Sequence, residues 1–220
     1  MKFRRKSAEV DPAPETEGPE AEESVEETPE VQPRVGGPYD VDDVDEDDPT
    51  QRMDLGSLLI APAAGTEVRL QVDEQTEQVQ SVLIAGEDGA LELRAFAAAR
   101  GSDLWGEVRP KIAADFAQRG GTADEREGRF GTELVCQLTV RMPDGRTGTQ
   151  PSRIIGVNGP RWMLRATLLG RPAVEVDDAE GWEDLVEKVV VRRGSNPMPP
   201  GAELPVTVPR EGQLIERPTT

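Results

Sequence analysis

Between residues 66 and 97, apolar and polar side chains alternate in three short runs divided by turn signals, and this pattern commits the chain to an antiparallel sheet. Val68, Leu70 and Val72 alternate with Arg69 and Gln71, which is the two-residue period of a half-buried strand. Polar Asp73-Glu74-Gln75-Thr76 leads to a second run at about Val79–Ala85, and Gly86-Glu87-Asp88-Gly89 to a third at about Ala90–Ala97. Sequential strands with such short links form a meander.

The period then changes. Leu104, Trp105, Val108, Ile112, Ala113 and Phe116 fall on one stripe of a helix, with Ser102 or Asp103 as N-cap and Gly120-Gly121 as the stop. Pro110 lies inside this pattern, so a kink there, or a restart with Pro110 near the first helical position, is expected. A short strand near Asp124–Glu127 precedes a long one at about Thr132–Met142, whose Leu134, Cys136, Leu138 and Val140 share a face. Thr147–Val157 and Arg161–Leu169 read as a hairpin through Asn158-Gly159, a strong turn signal. Asp177 or Asp178 is the expected cap of a second helix carrying Trp182, Leu185 and Val186, and Val189–Val191 closes as a strand. The fold class is therefore α+β: an antiparallel sheet of about seven or eight strands with two main helices packed against it.

Charge confines that fold to part of the chain. Residues 1–50 hold 17 acidic and 5 basic side chains, so a net −12 of the chain's −18 falls in its first 50 residues. With Tyr39 as the one aromatic between residues 7 and 50, too little apolar surface is available there to offset the entropy of ordering. The expected organisation is a disordered acidic arm with a basic tip over residues 1–50, one domain over 51–195, and an extended proline-rich tail over 196–220.

Absences narrow the chemistry. There is no His, which removes the commonest general base and the Ser-His-Asp and Cys-His arrangements. The sole Cys, Cys136, excludes an intramolecular disulfide and a multi-cysteine metal site, and its place on an apolar strand face marks it as an inert core residue. No catalytic constellation, metal site or cofactor motif can be placed; the acidic run Asp40–Asp48 lacks the glycine and terminal glutamate of a calcium loop. No stretch approaches the length of an apolar membrane span, and a cytoplasmic location is the expectation.

Several stretches together carry a resemblance. They are Gly37-Pro38-Tyr39-Asp40, Met53-Asp54-Leu55-Gly56-Ser57-Leu58, Leu93-Arg94-Ala95-Phe96-Ala97, Phe130-Gly131-Thr132-Glu133-Leu134, Gly159-Pro160-Arg161-Trp162 and Asn196-Pro197-Met198-Pro199-Pro200. In these the chain resembles an uncharacterised actinobacterial domain-of-unknown-function family of the DUF3710 type, from the arm to about residue 209, with Pro110 departing from its pattern. The order of elements is also similar to the fold of the Mog1 and PsbP proteins. That likeness implies a binding or accessory role by analogy of fold alone.

The candidate binding residues are Arg153, Arg161, Arg165 and Arg171. Arg161 and Arg165 lie four apart on a strand and so share a face, where two guanidinium groups could grip a carboxylate, a phosphate or an acidic peptide; a solvent-facing strand with an arginine paired to Glu133 is the plainer alternative. Lys2, Arg4, Arg5 and Lys6 form a basic tip that could anchor the chain by weak, salt-sensitive contacts with phosphates or an anionic membrane surface. The leading expectation is a non-enzymatic binding or adaptor protein that meets a protein partner through the arginine face. A further possibility, from the opposite charges, is that the acidic arm lies across that face as a built-in competitor. An enzyme or binding protein acting on a small anionic ligand is the alternative, and a nucleic-acid-associated factor is disfavoured by the sequence pI of about 4.4.

Overall fold

The computed structural model describes residues 36–208, apart from 46, 74, 76–77, 142–144 and 176–177. Three short strands come first, β1 (Tyr39–Asp40), β2 (Met53–Asp54) and β3 (Leu58–Ile60), followed by the meander β4 (Glu67–Val72), β5 (Val79–Ala85) and β6 (Gly89–Ala97). Helix α1 (Leu104–Gln118) leads to β7 (Thr122–Gly128), β8 (Gly131–Arg141), β9 (Thr147–Asn158) and β10 (Trp162–Gly170); α2 (Glu180–Glu187) and β11 (Val190–Val191) complete the order. Seven strands form one antiparallel sheet in the order β4-β5-β6-β10-β9-β8-β7. The chain is thus α+β with an antiparallel sheet and two helices, and the seven long strands fall where the alternation placed them. No helix among the described residues is long and apolar enough to cross a membrane.

The period-two pattern of the central strands sorts their side chains into two cores. On β10, Trp162, Leu164, Ala166 and Leu168 join Val82, Ile84, Leu91, Leu93, Ile155 and Val157 in the larger cluster, closed by α2 and the short strands. Met163 points the other way and joins Leu134, Cys136 and Ile154 beneath Leu104, Trp105, Val108, Ile112 and Phe116 of α1. The layers are therefore α1, the large sheet, and a mixed layer of α2 with a small sheet.

That small sheet has the order β1-β11-β3-β2, with β1 parallel to β11. It draws in residues that the acid-rich composition assigns to the arm. Tyr39 and Asp40 pair with Val190 and Val191, and the buried Trp162 indole N–H donates to Asp40 Oδ2 at 2.6 Å. The tail is likewise stitched in. Leu204 is buried, its N–H donates to the Ala95 carbonyl at 2.8 Å, and Val206 bridges Gly56 and Val79.

Helix α1 starts at Asp103, whose carboxylate accepts from Gly106 N at 2.8 Å. The hairpin turn braces this start: Asn158 accepts from Trp105 N at 3.0 Å and donates to Asp103 at 2.6 Å. Trp105 lies against Gly156 of β9, where no Cβ intervenes, and its indole N–H donates to the Thr132 carbonyl at 2.7 Å. The helix runs through Pro110 as one element instead of restarting there; packing of the stripe against β7, β8 and β9 outweighs the lost donor, a cost of about 3 kcal/mol. Helix α2 departs from expectation at its start. Its N-cap position is Ala179, without a side-chain cap, because the Asp178 carboxylate accepts from Arg171 at 2.6 Å instead. Asp177 lies outside the described residues.

Candidate anion-binding cleft

The four arginines singled out by sequence do not form one site. Arg153 on β9 is 2% exposed and faces α2. Its Nε lies 2.8 Å from Glu133 Oε1 and its Nη2 is hydrogen-bonded to Glu183 of α2. Glu133, itself buried, also accepts from Arg126 at 2.7 Å. Burial disfavours the Arg153 charge, but the bonds to Glu183 and Glu133 outweigh it and hold the guanidinium pKa above its ordinary value. Arg129 adds a second clamp on α2 through Asp184 and Glu187. This network joins sheet to helix and its Arg153–Glu133 centre is buried; among the described residues Arg153 Nη1 and Glu133 Oε2 find no hydrogen-bond partner there. Glu133 stands between Arg153 and Arg126, and the arginine strand there is buried, not solvent-facing.

Arg171 is exposed and bound to Asp178, with Asp88 at 3.6 Å. The hydrogen bond it donates to Asp178 and the surrounding carboxylates raise its pKa. The basic tip Lys2, Arg4, Arg5 and Lys6 lies outside the described residues.

Arg165 and Arg161 diverge. Arg165 stands on the α1 side of β10, directly opposite Arg94 of β6. Arg161 precedes the strand and turns to the end of the sheet, where its guanidinium donates to the Gly194 carbonyl at 3.0 Å. There it lines a cleft of about 670 Å³ with Arg100, Arg192 and Arg193. Asp40, Asp42 and Asp43 line the same cleft.

These residues are positioned by the fold. Arg100 follows the end of β6, and Arg192 and Arg193 follow β11, with Gly194 at φ 71° turning the chain back. Arg192 is tied to both carboxylate oxygens of Asp54 at 2.9 Å and to the Gly56 carbonyl at 3.0 Å. Arg193 donates to the Asn196 carbonyl at 3.0 Å, while its Nε is buried without an acceptor. Asp40 is oriented by Trp162 and caps a short 3-10 turn by accepting from Asp42 N at 3.0 Å. Among the described residues, then, Arg161 and Arg193 are steered by neutral carbonyls, Arg100 has no partner, and none of the three meets a carboxylate. Guanidinium groups so placed are donors in want of anionic acceptors.

Arg161 is the one sequence-derived candidate in this cleft. Arg100 and the Arg192-Arg193 pair were missed because they lie far from each other and from Arg161 in sequence and meet only in the folded chain. The signal that could have found two of them is Arg192-Arg193-Gly194, a basic pair and a turn residue just past a closing strand. No group of His, Cys, Asp and Glu suited to a metal ion occurs among the described residues.

A family model described as a protein of unknown function (DUF3710) matches residues 37–214. No curated protein and no solved structure matches the chain, so the likeness to Mog1 and PsbP finds no support there.

Proposed function

The chain belongs to the DUF3710 family, and from that premise we propose that it is a binding protein whose cleft holds an acidic segment of a protein partner. The observation that carries this reading is the convergence of Arg100, Arg161 and Arg193 in one cleft with no carboxylate on any of them among the described residues. An acidic peptide supplies carboxylates along an extended backbone and can reach all three. Asp40, Asp42 and Asp43 in the same cleft repel an anion that crowds against them and favour one held on the arginines.

The test uses affinity capture from native extract with the full chain beside an Arg161→Glu/Arg193→Glu variant whose circular dichroism matches the wild type. A labelled acidic octapeptide is titrated in parallel. Loss of charge-assisted hydrogen bonds worth about 1.5–3 kcal/mol each predicts at least a tenfold weakening of the peptide in the variant. Equal capture and equal peptide affinity for both proteins would overturn the proposal.

A small anionic ligand is the second reading, favoured by the cleft volume of about 670 Å³, which lies in the range of small-molecule sites. A protein-free extract filtrate that raises the melting temperature of the wild type but not of the variant would decide for it.

A further inference from the structure

A second arginine pair carries an inference that is independent of the cleft. Arg94 and Arg165 occupy directly opposed positions on β6 and β10, two strands in the middle of the seven-stranded sheet. Both side chains stand on the face away from Leu164 and Ala166, beside Phe96 and next to the row in which Trp105 covers Gly156. Like charges directly across a strand pair repel, and here they do so where neighbouring side chains exclude much of the water. Such a pair is stable when an anion sits between its two members.

The chain supplies only part of that anion. Glu203, on the tail segment that pairs with β6, binds one terminal nitrogen of Arg94. The Arg94 Nε remains buried with no acceptor. Arg165 makes no hydrogen bond and no ion pair among the described residues; its guanidinium lies over the Phe96 ring, 5.5 Å from the centroid. Burial, with the Arg94 charge beside it, lowers the Arg165 pKa, against the opposing pull of Glu92 and Glu203. Two forked donors with unmet N–H groups, two carboxylates at their margin, and an aromatic floor are thus assembled on one sheet face.

We propose that Arg94 and Arg165 together bind the phosphate group of a small molecule, with Glu203 as the built-in carboxylate that the phosphate displaces. A tetrahedral dianion has oxygens enough for both forks, and paired arginines bind it bidentately where a lysine would act as a point charge. Glu203 is 43% exposed and can swing to water without unmaking the backbone bonds of Leu204 N to Ala95 O and Ala97 N to Ala202 O. Ligand entry therefore needs a side-chain rotation and no refolding of the tail.

Calorimetric titration at constant ionic strength, first with inorganic phosphate and then with methyl phosphate, tests the site. Saturable one-site binding is expected in the wild type. Glu203→Gln should tighten it about threefold to tenfold by removing the competing carboxylate, whereas Arg165→Gln should weaken it at least tenfold. Arg161→Gln, in the separate cleft, should leave it unchanged. Binding of methyl phosphate identifies a phosphomonoester as the ligand class, and binding of inorganic phosphate alone identifies the free ion. The proposal is overturned if neither wild type nor Glu203→Gln saturates by about 20 mM phosphate, if Glu203→Gln fails to tighten binding, or if a folded Arg165→Gln binds as the wild type does. Should Arg165→Gln not fold, Arg165→Lys, which keeps the charge and loses the fork, takes its place and must weaken binding.

Discussion

Replacing Arg153 with methionine isolates the buried charge network. Methionine keeps most of the aliphatic stem, so packing changes little and the loss is electrostatic. Arg153 is 2% exposed, Glu133 is 1% exposed and Glu183 is 12% exposed, so removing the cation strands two carboxylates out of water. Breaking a buried pair from one side costs about 3–5 kcal/mol. The lower end applies here, because Arg126 still holds Glu133 at 2.7 Å. With a urea dependence of about 1–3 kcal/mol per molar, a loss of about 3 kcal/mol lowers the unfolding midpoint by roughly 1–3 M. The loss should also be local. Amide hydrogen exchange across residues 180–187 should accelerate before that of the central strands, because Arg153 and Glu183 tie α2 to the sheet. Arg153→Met/Glu133→Leu/Glu183→Leu, which removes the stranded charges as well, should recover most of the stability, since well-packed apolar replacements of a buried network are often neutral or better. If Arg153→Met shifts stability by less than about 1 kcal/mol, the two carboxylates are not held as charges by Arg153 and the account of the network is wrong.

Two further perturbations follow from the core beneath α1. Burial pushes the Cys136 thiol up to about 11 from 9.0, so the folded protein holds this proton more tightly than the unfolded chain; the resulting stability is whole below pH 9 and is lost progressively as pH rises to about 11. The change is at most about 3 kcal/mol, and Cys136→Ala should flatten that alkaline limb of a urea-unfolding series, while an aromatic disulfide reagent at pH 8 should label the wild-type thiol only as fast as the protein unfolds. Gly156→Ala would put a methyl group into the space of the Trp105 ring; overpacking of this kind costs about 1–3 kcal/mol, and both the melting temperature and the tryptophan emission should shift, with an unchanged melting temperature refuting the close packing.

The sequence by itself determined the seven long strands, the two helices and the α+β class, because each depends on patterns within some ten neighbouring residues. The alternation of Val68, Leu70 and Val72, the Asn158-Gly159 turn and the stripe from Leu104 to Phe116 all act at that range. It also determined the burial of Cys136, whose strand face is set by the same alternation. What it could not carry is pairing between distant short segments. Tyr39–Asp40, Leu58–Ile60 and Val190–Val191 are too brief to show a period, and an acid-rich surrounding marks the first of them as arm. Only when β1 lies beside β11 does Asp40 meet Trp162, and only then do Arg100, Arg161, Arg192 and Arg193 share a cleft. The arginines divide for the same reason. Arg161 and Arg165 lie four apart in sequence, but Arg161 sits before the strand begins while Arg165 is fixed in register opposite Arg94. Spacing decides which face a side chain takes; which charges stand beside it, and whether they satisfy it, was decided by strands that come together from far along the chain.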